Sequence, residues 1–147
     1  MTKVNVALGL FVLTLFPSIF LFPAASIAKD AFVLPTPDLA SLDGCIRQTR
    51  GNKVAAADCF HPYVAICQTN YSSRLSECLP QEVEFWRRAV DDELSRINSA
   101  TAQQVKASIS GDITEHCVSD EARFRDGCRR MVYHQAAVYL RIARIWK

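Results

Sequence analysis

The sequence predicts an all-α fold: a small helical domain stapled by disulfides, with two longer helices at about 80–109 and 119–146 and short helices before them. Three observations carry this reading. Apolar residues recur at spacings of three and four, whereas no run of useful length alternates apolar and polar residues as a strand would. Only 5 glycines occur in 147 residues, too few for the tight turns of a many-stranded sheet. The 6 cysteines suit a small exported domain whose thin core gains from cross-links.

Export is read from residues 1–28, which have the pattern of a signal peptide. They hold one cation, Lys3, and no acid, then an apolar run from Val6 to Phe22, then the small residues Ser26 and Ala28 spaced as a signal peptidase requires. Cleavage is expected after Ala28, because Pro17 and Pro23 interrupt a run already marginal for crossing about 30 Å of hydrocarbon. The mature chain is then periplasmic or secreted and keeps no stable membrane anchor. Charge is nearly balanced, with 17 Lys and Arg against 15 Asp and Glu, which argues against nucleic acid as a partner.

Residues 29–38, KDAFVLPTPD, contain two prolines and mixed polarity, an extended lead-in to a domain at 39–147. Leu39, Leu42 and Ile46 predict a short helix to Arg50, ended by Gly51 and Asn52. A second short helix fits Ala55 to Cys67, with Pro62 kinking it or opening a new first turn. Pro80 opens the clearest helix. Val83, Trp86, Val90, Leu94 and Ile97 form its apolar face, and Glu84–Arg88 and Asp92–Arg96 pair across its charged face for about 0.2–0.5 kcal/mol each. Helix-tolerant residues extend it to Ser110, and Gly111 stops it. Asp112 and Glu115 have capping-box spacing ahead of a short element carrying Cys117. Beyond Ser119, the residues Cys128, Val132, Ala136, Tyr139, Ala143 and Trp146 step along an expected core face, while Arg123, Arg130, His134 and Arg141 line a different, solvated side.

Catalytic equipment is scarce. Asp91, Asp92 and Glu93 are consecutive and fan over about 200° of a helix, so they do not converge on one bond as the two carboxyl groups of a glycosidase do. They read as a solvated face, and no enzyme activity is expected. The stretch CFHPYVAIC at 59–67 raises the question of a metal, yet no C-x-x-C or H-x-x-x-H accompanies it. His61 therefore reads as a helix-boundary residue held extended by Pro62, and neither metal nor other cofactor is expected. Pairing between chain neighbours, Cys45 with Cys59, Cys67 with Cys78 and Cys117 with Cys128, closes short segments at little entropic cost. Sequence alone leaves the other connectivities open.

The run from Cys45 through DCFHPYVAIC to ECLPQEVEFWRRAVDDELSRI resembles the exported bacterial LprI-like lysozyme inhibitor family, in which cysteines precede a glutamate, a tryptophan and a D-x-x-L helix. Here these are Cys78, Glu82, Trp86, and Asp91 with Leu94. The AQQ at 102–104, Cys117 and the run CRRMVYHQAAVYLR continue the likeness over most of residues 45–141. The resemblance implies an exported binding protein that blocks lysozyme-type glycosidases. Such an inhibitor directs donors or a cation at the two acids of the cleft, and a disulfide-pinned loop does so with little ordering cost. The loops closed by Cys67 and Cys78 and by Cys117 and Cys128 are the candidates, with Tyr71 and Arg74 or Arg123 and Arg125 as target-binding groups. The alternative is a cell-envelope structural or stress protein that meets another periplasmic protein through its basic C-terminal helix.

Overall fold

The computed structural model describes residues 31–147, and Ala31–Lys147 form one unit. The signal-peptide reading of residues 1–28 lies outside the described residues. Among those described there is no strand. The elements are α1 (Leu39–Gln48), α2 (Lys53–Asp58), a 3-10 turn (His61–Tyr63), α3 (Ile66–Asn70), a second 3-10 turn (Ser72–Arg74), α4 (Leu75–Leu94), α5 (Ser99–His116) and α6 (Ala122–Ile145). This is the all-α, disulfide-stapled class that the sequence predicts, with three long helices where two were expected. No described helix is long and apolar enough to cross a membrane.

Local chemistry explains the boundaries. Asp38 caps α1 by accepting the Ala40 amide at 2.9 Å. Gly51 then takes φ +87°, a left-handed turn that a Cβ would strain, and Asn52 caps α2 through the Ala55 amide at 3.1 Å. The helix expected over 55–67 is instead divided between α2, a 3-10 turn and α3. His61 opens that 3-10 turn with Pro62 and is not held extended. Ala65 precedes α3 at φ +63°, a conformation that costs an L-residue about 1–2 kcal/mol. Glu82 offsets it: its buried carboxylate accepts the amides of Ile66 at 3.2 Å and Cys67 at 3.1 Å, capping α3 from α4.

Helix α4 starts five residues ahead of Pro80, so the proline lies inside it and forfeits one backbone hydrogen bond. Its neighbours Cys78 and Leu79 are buried with Cys67 and Leu34 in a small apolar cluster that anchors this first turn. The single helix expected over 80–109 is broken after Leu94. The Arg96 and Ile97 amides make tight bonds to the carbonyls of Glu93 and Leu94 at 3.2 and 3.3 Å, and Asn98 caps α5 by accepting the Thr101 amide at 2.9 Å. Gly111 does not stop α5, which runs on to His116, and Asp112 and Glu115 are interior helical residues, not a cap. Helix α6 begins at Ala122, three residues later than expected, after Ser119 Oγ accepts the Glu121 amide.

The register of α4 against α6 organises the domain. Glu93 meets Arg141, a separation of 48 residues, and the same offset relates Trp86 to His134 and Glu82 to Arg130. A constant offset means that the two helices run parallel, with α5 as the return path between them. The main core lies along this seam, where Trp86, Val90 and Leu94 of α4 meet Ala137, Val138 and Ile142 of α6, roofed by Leu42, Ile46 and Phe60 and flanked by Ile109. At the far end Trp146 Nε1 donates to the Ile46 carbonyl at 3.2 Å, tying α6 to α1. The three disulfides join Cys45 to Cys59, Cys67 to Cys78 and Cys117 to Cys128, the neighbour pairing expected.

Candidate functional site

Helix α6 buries part of the face its apolar residues predicted, since Val132, Ala136 and Trp146 pack against the main core, and adds residues that were expected in solvent. Arg130, Ala137, Val138, Arg141 and Ile142 are buried, whereas Tyr139 is 64% exposed and Ala143 is exposed. The cause is on α4 and α1. Glu93, expected on solvated surface, and Glu82 are buried on α4, and Asp43 of α1 joins them, so the arginines of α6 turn inward. Arg141 donates from Nε to Asp43 at 2.6 Å and from Nη1 to Glu93 at 3.1 Å. Arg144 donates from Nε to Glu93 at 2.7 Å and from Nη2 to Asp43 at 3.3 Å. Arg130 lies 3.7 Å from Glu82. Together these pairs clamp α1, α4 and α6.

Titration follows from these contacts. Burial pushes the Asp43 carboxyl up, but the hydrogen bonds and charges of Arg141 and then Arg144 outweigh it and leave it below its ordinary value. The bonds to Glu93 raise Arg144. His134, expected beside solvent, packs edge-on to Trp86 with ring centroids 4.6 Å apart and against Phe60 at 6.0 Å. Burial, helped by the Arg130 charge, pushes it down to about 4, so the ring is neutral at neutral pH. Trp86 Nε1, Arg130 Nε and His134 Nε2 are buried without a hydrogen-bonding partner. The surface pairs expected on α4 do form, with Arg88 to Glu84 at 2.7 Å and Arg96 to Asp92 at 2.9 Å.

The four candidate target-binding residues divide between the two loops. Tyr71 stacks edge-on to Phe32 at 4.9 Å, and Arg74 pairs with Glu77 at 2.6 Å and lies 4.9 Å over the same Phe32 ring. Both are engaged by their own chain. In the loop closed by Cys117 and Cys128, Arg125 Nη1 donates to the Ser119 carbonyl at 3.0 Å and braces the turn. Arg123 stays on the surface, paired with Glu121 and lying 4.8 Å over the Phe124 ring. Phe124 is 58% exposed and Val118 79%. The sequence reading passed over these two, although large apolar residues flanking a cation inside a cysteine-closed loop are a visible signal. In CFHPYVAIC, Cys59 and Cys67 are both in disulfides and have no thiolate to offer a metal, and His61 is exposed. Among the described residues no cluster of His, Cys, Asp and Glu is arranged to hold a metal ion.

No protein-family model, curated protein or solved structure matches the chain.

Proposed function

We propose that this chain is an exported LprI-like binding protein, periplasmic or secreted, which inhibits lysozyme-type glycosidases through the tip between α5 and α6. The carrying observation is the loop pinned by Cys117–Cys128, which displays Arg123 over the exposed Phe124 ring and carries the exposed Val118 in the same loop, at the ends of two long helices. A glycosidase of this type acts with two carboxyl groups in a cleft built for sugar rings. A planar guanidinium suits such carboxylates, and an aromatic ring next to it fills a sugar-sized site. The brace from Arg125 to Ser119 lowers the cost of ordering the loop on binding. Three disulfides fit an oxidising compartment, and the LprI-like reading of the sequence places that compartment in the envelope or outside the cell.

The basic-helix alternative has less cation to work with, since Arg130, Arg141 and Arg144 face Glu82, Glu93 and Asp43 inside the domain. A panel of lysozymes assayed with the purified, oxidised chain tests the proposal. Inhibition of at least one enzyme at submicromolar concentration is the expected result. A panel untouched at micromolar protein would remove the inhibitor reading.

A further inference from the structure

The lead-in is held as a ligand is held. Its backbone is read by one side chain: Gln81 Oε1 accepts the Leu34 amide at 2.8 Å, and Gln81 Nε2 donates to the Phe32 carbonyl at 2.7 Å. In an extended chain a carbonyl at one position and the amide two positions on face the same edge, so the two Gln81 bonds match strand-like geometry. Side chains supply the rest. Phe32 meets the Tyr71 ring edge-on and has the Arg74 guanidinium over its own ring, each 4.9 Å away. Leu34 is buried against Cys67, Cys78 and Leu79. Val33, between them, is 76% exposed and takes no part. Backbone bonds plus alternate side-chain pockets are the means by which proteins capture extended peptides.

We propose that the groove formed by Tyr71, Arg74, Leu79 and Gln81 along the Cys67–Cys78 disulfide is a binding site for an extended segment of a partner protein with an aromatic residue and, two positions on, an aliphatic one. Residues Phe32–Leu34 occupy it in the isolated chain. The occupant belongs to no regular element and joins α1 only through Pro35–Asp38. It contributes to the small cluster with Cys67 and Leu79, not to the main core around Trp86, so it can leave while the α4–α6 seam stays intact. On the other side of the lead-in, Leu34, Pro35 and Thr36 themselves form one wall of an open groove of about 560 Å³ whose facing wall is Pro80, Phe85 and Ala89 of α4. A tethered occupant acts at an effective concentration in the millimolar range. A partner therefore binds tightly only when the lead-in is weakened or displaced.

The test is fluorescence anisotropy with a labelled peptide of residues 30–38, DAFVLPTPD, titrated into the oxidised chain. The parent, the double variant Phe32→Ala/Leu34→Ala and that variant carrying Gln81→Ala are compared. The double variant is expected to bind at least about tenfold more tightly than the parent, about 1.4 kcal/mol, and Gln81→Ala to abolish the gain. If the double variant loses its helical circular dichroism, Phe32→Ala alone replaces it. A folded variant that binds no better than the parent, or binding indifferent to Gln81→Ala, overturns the proposal. A concentration-dependent dimer of the parent that disappears in the double variant also overturns it, by giving the groove to a second copy.

Discussion

Removing the Glu93 carboxylate measures the buried clamp directly. Its side chain is 2% exposed and accepts from Arg141 Nη1 at 3.1 Å, Arg144 Nε at 2.7 Å and Arg144 Nη2 at 3.3 Å. Glu93→Ala leaves two guanidiniums with Asp43 as their remaining carboxylate. Breaking a buried pair on one side costs about 3–5 kcal/mol. Arg144 is 32% exposed and recovers some hydration, so the expectation sits at the lower end, about 3 kcal/mol. For a domain of this size that lowers Tm by about 10–15 °C. Asp92→Ala is the matched control, because Asp92 and Arg96 are both about half exposed and their pair contributes no more than about 0.5 kcal/mol. Thermal and guanidinium unfolding of the oxidised chains at pH 7, followed by circular dichroism, give both values. Replacing Glu93 and Arg141 together by Leu and Met recovers at least about 1 kcal/mol of the loss, since it leaves one guanidinium for Asp43. If Glu93→Ala and Asp92→Ala agree to within about 0.5 kcal/mol, the clamp does not join these helices as described.

Further outcomes follow from the same contacts. His134 is held down at about 4 from an ordinary 6.5. The unfolded chain therefore takes up a proton first, and the stability from the neutral ring is complete above pH 6.5 and declines as the pH falls toward 4. Allowing for partial solvent access, about 2 kcal/mol is lost across this window, and a His134→Phe chain unfolded in guanidinium at pH 7 and 4.5 should lack that share; an unchanged pH slope would contradict it. Gly111→Ala, with nothing within 4 Å of the new Cβ, stabilises α5 by about 0.5–1 kcal/mol, and a lower Tm would show the site is not an open helical one. Unreduced peptide mapping should recover Cys45–Cys59, Cys67–Cys78 and Cys117–Cys128, and a Cys59–Cys67 peptide would reject that pairing. His61→Ala should leave Tm almost unchanged and the protein free of zinc before and after; stoichiometric zinc lost on substitution would reopen the metal reading of CFHPYVAIC.

The helical class was legible because periodicity and cysteine count are local properties of the chain. Boundaries were less so. Pro80 and Gly111 look like punctuation, yet each sits on an exposed helix surface where its penalty is about 1–3 kcal/mol and tertiary contacts outweigh it. Asn98 was an available cap signal that helix-tolerant neighbours masked. The largest miss was on α6, where the apolar pattern placed Val132, Ala136 and Trp146 against the core but left Arg130 and Arg141 in solvent. A spacing match would have corrected it: E-x3-W-x6-E from Glu82 to Glu93 is answered by R-x3-H-x6-R from Arg130 to Arg141, complementary charges at one offset. The lead-in was read as unpacked because its partners, Gln81 and Tyr71, lie far away in sequence. Of the loop residues, the sequence reading identified Arg123 and passed over Phe124 and Val118, although both lie in the same cysteine-closed loop and are exposed.

The inhibitor proposal stands most directly on Arg123. The measurement is the inhibition constant of the oxidised parent, of Arg123→Glu and of Lys53→Glu, an exposed charge reversal on α2 remote in sequence from the tip, against the most sensitive lysozyme of the panel. The account predicts submicromolar inhibition by the parent, a loss of at least about a hundredfold, near 2.7 kcal/mol, for Arg123→Glu, and less than about threefold for Lys53→Glu. Equal inhibition by all three chains, with folding and disulfides intact, would contradict the assignment of the α5–α6 tip.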